Sequence, residues 1–191
     1  MSTKKASFVL SIDLELAWGV WDKLSSINIQ KIIDKERLVC ENLLNIFDEN
    51  EIPVTWAVVA ALLDNKNKMM GNLNQKAWYA PDILDNILNS KTKHLIASHS
   101  YAHKEFNTCS KEEIIEDFEK SNFFLKSINI NPDVFIFPRN NVFHLDVLKK
   151  FNFKTYRSID KSWYKKVYKY NKSLGKISNL IDKVIPIKTN S

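Results

Sequence analysis

The sequence predicts an α/β fold with a parallel sheet or barrel. Short, apolar, β-prone runs recur along the chain, and stretches with a helical period separate them. Polar and reactive side chains follow four of the predicted strands, at the ends where ligand sites collect in such folds. The chain has 191 residues and a hydrophobic content of 45%, which is enough for one core. We therefore expect one domain over residues 1–191.

Five predicted strands account for the β-prone runs. Each is largely apolar and is bounded by polar or turn-forming residues. Prolines lie only at the margins of these runs, where a missing backbone N–H is tolerated. The five runs are ASFVLSID (6–13), IPVTWAVVA (52–60), KHLIASH (93–99), PDVFIFP (132–138) and FKTYRSI (153–159).

Helices are predicted between the strands and again near the C-terminus. Ser110 and Glu113 have the spacing of a capping box, which marks the start of one helix. Pro81 suits the first turn of another. The helical stretches are NIQKIIDKERLVCENLLNIFDENE (28–51), APDILDNILNS (80–90), SKEEIIEDFEKSNFFLKSI (110–128), NVFHLDVLKKFN (141–152) and LGKISNLIDKV (174–184).

Four predicted strands end in side chains that can perform chemistry. Because the carboxyl ends of parallel strands meet at one edge of a sheet, these side chains should lie close together. The strand ends are DLE (13–15), SHSYAH (98–103), FPRNN (137–141) and YRSID (156–160).

The first strand end carries two acids. Asp13 and Glu15 are two residues apart, so a strand that continues to Glu15 points both carboxylates to one face. Two acids on one face repel each other unless a cation or a proton lies between them. The alternative is that the strand has ended and both acids lie in a solvated loop. The residues alone leave both interpretations open.

The third strand end carries two histidines. His99 and His103 have i, i+4 spacing, which brings both imidazoles to one side of a helical turn. Neutral imidazole is a good ligand for zinc and comparable divalent metals. A single pair with this spacing is weak evidence, because histidines also cap backbone groups or pack at a surface.

The strand ends together resemble a known family. FVLSIDLELAWG (8–19), IASHSYAH (96–103) and FIFPRN (135–140) are similar to the first three motifs of the polysaccharide deacetylase family. This family is also known as the NodB-homology or carbohydrate esterase family 4 proteins. The resemblance is to the branch associated with cell-surface polysaccharide biosynthesis, and it covers residues 8–158 in order and spacing.

The resemblance implies a role for each matching residue. In the family, an acid of the first motif is the general base and a nearby acid binds the metal, which assigns Asp13 as base and Glu15 as ligand. His99 and His103 match the two histidine ligands. Arg139 matches the arginine that holds the base by a salt bridge and completes the catalytic pair, although the order of Arg and Pro is reversed here.

The implied reaction is hydrolysis of an N-acetyl or related amide group on an amino sugar. The resemblance implies a divalent metal, with zinc favoured over cobalt, nickel or manganese. The expected substrate is an N-acetylated sugar, sugar nucleotide or oligosaccharide. Trp18, Tyr101 and Asn140 lie next to the motifs and are the expected substrate-binding residues, although the aromatic rings would serve equally well in packing.

The sequence departs from the family in two respects. Members place a catalytic histidine, the general acid, on a late strand, whereas no histidine follows His144 here. Five strands are also too few for the closed barrel of the family. The expected fold is therefore a distorted (β/α) barrel of the NodB-homology type, incomplete at its C-terminus. Exposed strand edges in such a fold favour a homo-oligomer.

Three accounts of activity follow from these departures. In the first, the chain is an active deacetylase whose general acid is a water, His144 or another residue. In the second, it keeps the metal site but turns sugar over weakly. In the third, it binds glycans or assists assembly without a metal. The first is the preferred hypothesis. The second and third describe a shortened, catalytically weak or inactive homologue.

The net charge of +6 is concentrated in the C-terminal segment. Residues 149–191 contain twelve Lys or Arg and two acids. Clustered Lys can attract an anionic glycan, a lipid phosphate or nucleic acid. No arginine-rich stripe or nucleic-acid motif accompanies them, so no nucleic-acid partner is expected. We interpret residues 159–191 as a basic tail.

Three features favour a cytoplasmic protein. The longest apolar run, WAVVAALL (56–63), is far shorter than a transmembrane segment. The N-terminal apolar run reaches Asp13 too soon for the core of a signal peptide. Cys40 and Cys109 lie far apart, which favours free thiols over a disulfide framework.

Overall fold

The structure is a computed structural model, and it describes residues 8–23, 29–66, 73–157 and 164–184. The chain divides into two compact units, Met1–Arg157 and Ser158–Ser191. Each unit is described by itself below. The organisation of residues 1–191 as one domain stays a prediction.

The first unit is built on a parallel sheet of five strands. The strands follow one another in chain order, and every neighbouring pair is parallel. This order requires a crossover connection between each pair, as the alternation of strands and helices predicted. The strands are β1 (Ser11–Leu14), β2 (Thr55–Val58), β3 (Leu95–Ser98), β4 (Val134–Ile136) and β5 (Thr155–Arg157).

Five α-helices lie in the described residues of the first unit. The predicted capping box is present, because the Ser110 hydroxyl accepts from the N–H of Glu113 and the Glu113 carboxylate accepts from the N–H of Ser110. Pro81 occupies the first helical position of its helix, also as predicted. The helices are α1 (Ala17–Val20), α2 (Ile29–Glu49), α3 (Pro81–Leu88), α4 (Lys111–Ser127) and α5 (Leu145–Leu148).

The helix predicted over residues 141–152 is much shorter in the structure. Only α5 and a following 3₁₀ turn at Lys149–Phe151 are helical there. His144 directly precedes α5 with a left-handed backbone (φ 52°), and Asn141 has ψ 88°. These backbone angles lie outside the right-handed helical region, so the helix cannot begin earlier.

Aromatic side chains hold β4 against α4. Phe135 of β4 is fully buried, and its ring lies 5.0 Å from that of Phe118 on α4. The rings of Phe106, Phe137 and Phe153 also lie within 5.7 Å of the Phe135 ring. Edge-on and offset ring pairs at such distances each add about 0.5–1.5 kcal/mol beyond the burial of their area. This packing fixes the position of β4, whose carboxyl end lies at the candidate functional site.

The sheet curls so that its first and last strands approach each other. Arg157, at the end of β5, donates hydrogen bonds to Asp13 and to the hydroxyl of Ser11, both in β1. Asp13 pairs in register with Ala57 of β2, and Ala57 pairs in register with Ala97 of β3. The side chains beside Asp13 on this face of the sheet are therefore small. The five strands therefore form part of a barrel, which confirms the incomplete (β/α) barrel predicted from the sequence.

The second unit, over its described residues 164–184, contains α6 (Tyr164–Tyr170) and α7 (Lys172–Val184). Asn171 caps α7, since its side-chain oxygen accepts from two backbone N–H groups of the first turn. Gly175 lets the two helices approach closely, because a Cβ there would lie 2.5 Å from the ring of Tyr168.

The helix predicted over residues 174–184 is part of α7. The apolar IPI run (185–187) lies outside the described residues. None of the described helices is long and apolar enough to cross a membrane.

A Ser, a His and an Asp meet between the C-terminal end of α2 and the start of β3. The Ser90 hydroxyl donates to the Asp48 carboxylate at 2.5 Å and lies 3.2 Å from Nε2 of His94. Nδ1 of His94 accepts from the N–H of Val54, so in the neutral ring Nε2 carries the proton and donates to Ser90. This direction is opposite to that of a catalytic triad, where the histidine accepts the serine proton. The cluster is therefore structural.

The lowered pKa of Asp48 predicts that the stability of the protein depends measurably on pH. The hydrogen bond from Ser90 and the backbone N–H groups of Thr92 and Lys91 lower the pKa of Asp48 to about 2. A carboxylate with a lowered folded-state pKa stabilises the fold above its unfolded-state pKa, and this contribution is lost as the pH falls toward 2. The free energy of unfolding of the Asp48→Asn variant should therefore vary less between about pH 5 and pH 3 than that of the wild type.

Urea denaturation across this pH range measures the effect. Glu41→Gln, an exposed position on the same helix, is the matched control and should keep the wild-type pH dependence. An Asp48→Asn variant with the wild-type pH dependence would contradict the assigned role of Asp48.

Candidate metal centre

The fold brings Glu15, His99 and His103 together. Glu15 directly follows β1, and both histidines follow β3, so their side chains meet at the carboxyl end of the sheet. Nε2 of His103 lies 2.8 Å from Oε2 of Glu15, and Nε2 of His99 lies 3.4 Å from the same oxygen. One potential ligand atom from each of the three residues lies within 4.8 Å of the others. This is the cluster that the motifs predicted.

The orientation of His99 is fixed by the neighbouring strand. Its Nδ1 lies 2.7 Å from the backbone oxygen of Ile136 in β4. A carbonyl oxygen can only accept, so Nδ1 carries a proton and donates it. Nε2 of the neutral ring then has a free lone pair that faces Glu15. A backbone carbonyl that fixes the tautomer in this way is the usual partner of a metal-bound histidine.

His103 lies in a tight turn after β3. Ser100 and His103 both have left-handed backbones, with φ of 66° and 53°. Such a conformation costs a residue other than glycine about 1–3 kcal/mol. The turn places the two imidazole rings 5.0 Å apart. The surrounding structure must therefore stabilise this backbone strain.

The three residues fit a bound cation. His99 is fully buried, and among the described residues its Nε2 has no hydrogen-bond partner; the same holds for Nδ1 of His103. A buried polar atom without a partner costs about 1–3 kcal/mol. A lone pair that faces a carboxylate is also repelled by it. Either a proton on the imidazole or a metal ion would remove this penalty, and two imidazoles with a carboxylate are common zinc ligands.

Glu15 remains charged in this environment. Burial by itself raises the pKa of Glu15. Hydrogen bonds and positive charge from the imidazoles of His103 and His99, when these are protonated, outweigh burial and hold the pKa well below its usual range. The carboxylate is thus available as an anionic ligand at neutral pH.

Gly19 provides the space that the Glu15 side chain occupies. Gly19 lies in α1, four residues after Glu15. A Cβ at this position would overlap the carboxylate and the Cγ of Glu15. Only glycine lacks that atom, so Gly19 allows the carboxylate to reach both imidazoles.

Asp13 lies beside the three candidate ligands and is held by Arg157. The two terminal nitrogens of Arg157 donate to the two carboxylate oxygens of Asp13 at 2.9 and 2.8 Å. This bidentate geometry is the strongest arrangement for an arginine and a carboxylate. Oδ2 of Asp13 is 4.0 Å from Nε2 of His99. Asp13 is therefore close to the ligands while its own charge is paired.

Arg139 does not pair with Asp13 in the structure, unlike the expectation from the third motif. It donates to Asp22 at 2.8 Å and to Glu105 at 2.5 Å, and the hydrogen bond to Asp22 raises the pKa of Arg139. The reason is the backbone, because Arg139 and Asn140 both have φ of 53° in a turn. The turn directs the guanidinium to the loops that follow β1 and β3.

The three expected substrate-binding residues have other partners. Trp18 is only 6% exposed and donates from its ring N–H to the backbone oxygen of Trp78. Trp18 therefore packs in the core and presents no open face to a sugar, because α1 turns it inward. The Asn140 side-chain oxygen accepts from Nε of Arg157, so Asn140 supports the arginine that holds Asp13.

Tyr101 is also engaged within the protein. Its hydroxyl donates to Asp64 at 2.7 Å, and its ring stacks on Phe124 with centroids 5.7 Å apart. In the loop after β1, Trp21 is the aromatic side chain that faces solvent, with 42% exposure.

Sequence reasoning missed the roles of Arg157 and Gly19. Arg157 was visible as part of the YRSID strand end, but the resemblance assigned its role to Arg139. Gly19 stands within the first motif, where a glycine four residues after Glu15 has no distinctive spacing. Both roles depend on side-chain distances across the fold, which the linear sequence does not contain.

Comparison with known proteins identifies the family. The polysaccharide deacetylase family model matches residues 32–159. The parallel sheet forms an incomplete (β/α) barrel, and a cluster of one carboxylate and two imidazoles that could hold a metal ion lies at its carboxyl end. The chain belongs to the polysaccharide deacetylase family. No curated protein sequence matched it.

Solved structures share the fold at low sequence identity. A putative polysaccharide deacetylase from Mycobacterium smegmatis has a TM-score of 0.57 and 16% identity, over 76% of this chain and 48% of that one. A carbohydrate esterase family 4 (CE4) pseudoenzyme from Bacillus anthracis has a TM-score of 0.50 and 17% identity, over 78% and 41%. The chain thus spans less than half the length of these structures.

Substitution of Gly19 tests the geometry around Glu15. In Gly19→Ala, the added methyl group should displace the carboxylate and weaken zinc binding by about 10-fold or more. Isothermal titration of the purified chain with zinc measures the affinity. Val20→Ala, the next residue in the same helix, should keep wild-type affinity. Equal zinc affinity of Gly19→Ala and wild type would show that the carboxylate is not a ligand.

Proposed function

We propose that this chain hydrolyses the N-acetyl group of an amino sugar, using a divalent metal held by Glu15, His99 and His103. The observation that carries the proposal is the buried Nε2 of His99, which faces the Glu15 carboxylate without a hydrogen-bond partner among the described residues. Membership of the polysaccharide deacetylase family supports a carbohydrate substrate.

The ligand set suits zinc, and also cobalt, nickel or manganese. Three protein ligands leave room for further ligands, which is typical of catalytic rather than structural zinc sites. The metal, when bound, supplies Lewis-acid activation of the amide carbonyl and of water.

Asp13 is the general base in this proposal. Its carboxylate lies next to the ligand cluster and can accept the proton of the attacking water. Arg157 orients this carboxylate through two hydrogen bonds, and Asn140 in turn holds Arg157. The arginine thus has the role that the sequence assigned to Arg139.

Asp13 can also serve as the acid of the second half of the reaction. Once it has accepted a proton, it can return that proton to the leaving nitrogen, so that one group acts as base and then as acid. In this proposal Asp13 takes the role that the resemblance gives to a late histidine. His144, the other acid considered from the sequence, precedes α5 and has Phe143 as a ring neighbour.

The biological setting is proposed from the sequence motifs. The three motifs together resemble the branch associated with cell-surface polysaccharide biosynthesis. The substrate proposed for this chain is an N-acetylated sugar, sugar nucleotide or oligosaccharide. A cytoplasmic enzyme of such a pathway would meet these substrates before export.

A second candidate function is sugar binding without hydrolysis. One of the similar structures is a CE4 pseudoenzyme, and a further structure is of its mutant with restored enzymatic activity, with a TM-score of 0.50 to this chain. The fold alone therefore does not establish activity, and a binding role for this chain is the alternative.

Acetate release separates the two candidates. The zinc-loaded chain should release acetate from N-acetylglucosamine oligomers or a nucleotide-linked N-acetyl sugar, and Asp13→Asn should slow release by about 10²-fold or more because the base is lost. Asp133→Asn is the matched control, since Asp133 pairs with Lys154 just before β4, and it should retain full activity. Sugar binding without acetate release would favour the second candidate.

A further inference from the structure

The turn that carries His103 is held by a buried carboxylate from another element. Asp117 of α4 is only 2% exposed. Its Oδ1 accepts from the backbone N–H of Tyr101 at 2.7 Å, and its Oδ2 accepts from the backbone N–H of Ala102 at 3.1 Å. These are the two residues directly before His103, so one side chain fixes two consecutive peptide groups of the turn.

The opposite side of the turn is held by the chain that follows β2. The backbone N–H groups of Ala60 and Ala61 donate to the carbonyl oxygens of Ser100 and Tyr101, each at 3.0 Å. The carbonyl groups of the turn thus bond to one element, and its N–H groups bond to Asp117. Of these two supports, only the second depends on a particular side chain.

Packing alone does not account for a carboxylate at this position. A buried charge is costly unless it is fully hydrogen-bonded. An apolar residue would avoid that cost but would leave two part-buried N–H groups without this partner. Two adjacent N–H donors in a left-handed turn match the two oxygens of one carboxylate. The residue type is therefore explained by the turn that it binds.

The geometry points to Asp117 as a positioning residue for His103. We infer that it holds the Tyr101–Ala102 peptides so that the His103 imidazole faces Glu15 and the metal. The inference rests on the proposed metal site, although Asp117 itself touches neither the metal ligands nor the expected substrate. Asp117 acts on His103 through the backbone. By contrast, the Ile136 carbonyl accepts a hydrogen bond from the imidazole of His99 itself.

Zinc affinity tests the positioning role. Asp117→Asn keeps the shape of the side chain but places an amide N–H₂ against one of the two backbone donors, so zinc binding by isothermal titration should weaken about 10–100-fold. Ser121→Ala is the matched control. Ser121 is buried on the same helix and bonds to the Ser98 hydroxyl of β3 at 3.0 Å, so its loss perturbs the same packing without touching the turn.

A second measurement does not depend on the metal. In the metal-free chain, amide hydrogen exchange at Tyr101 and Ala102 should accelerate about 10-fold or more in Asp117→Asn, because a hydrogen bond to a charged group is lost. Exchange at both positions should stay unchanged in Ser121→Ala. If Asp117→Asn does not fold, Asp117→Glu, whose carboxylate is one methylene further out, gives the same comparison.

The outcomes distinguish the two proposals. Weaker zinc binding and faster exchange in the Asp117 variant alone would support the positioning role. Unchanged exchange at Tyr101 and Ala102, or equal loss of zinc affinity in the Asp117 and Ser121 variants, would overturn it. Faster exchange in a chain whose wild type binds no zinc would overturn the proposed function and leave Asp117 as the residue that fixes the turn.

Discussion

The candidate site depends on one constraint, which is that a single carboxylate lies between two buried imidazoles. Glu15 is within 3.4 Å of Nε2 of both His99 and His103. The parallel register of the sheet brings the ends of β1 and β3 to the same edge, and the Ile136 carbonyl sets the tautomer of His99. Without a cation, this arrangement leaves buried nitrogen atoms with no partner in the part of the chain that the structure describes. In the proposed function, a bound cation would pair these nitrogen atoms and stabilise the site.

The two acids of the first motif have different environments, although only one residue separates them. Glu15 turns toward the imidazoles, in space left by Gly19. Asp13 stays in the strand, where the curl of the sheet brings Arg157 of the last strand to it. The same ion pair joins β1 to β5. The curvature of the sheet and the orientation of the proposed base are thus linked, and a flatter sheet would separate Asp13 from its arginine.

The sequence predicted the fold and the three clustered residues, because strand ends of a parallel sheet must converge and because the motifs lie at those ends. It could not predict which arginine pairs with Asp13. Arg139 and Arg157 both follow strands, and only the left-handed turn at Arg139, with φ of 53°, directs that side chain away. A left-handed conformation is uncommon for Arg, so the local sequence gave no reason to expect it.

The sequence also did not predict the direction of the aromatic side chains, for a related reason. Trp18 lies four residues from the end of β1 and was expected to face a sugar, but the short helix α1 turns it against Trp78. The direction of a side chain in a four-residue helix depends on tertiary packing rather than on periodicity. The sequence did not predict a role for Asp117, because α4 has the pattern of an ordinary amphipathic helix. The role of one buried acid in such a helix can be recognised only when its backbone partners are known.

Anomalous X-ray scattering from zinc-soaked crystals tests the central claim most directly. The account predicts an anomalous peak at the carboxyl end of the sheet, bonded to a carboxylate oxygen of Glu15 and to one nitrogen each of His99 and His103 at about 2.0–2.2 Å. The peak should be lost in Glu15→Gln crystals grown and soaked in the same way. A wild-type crystal with no zinc at these three residues, or with zinc bound only elsewhere, would contradict the account.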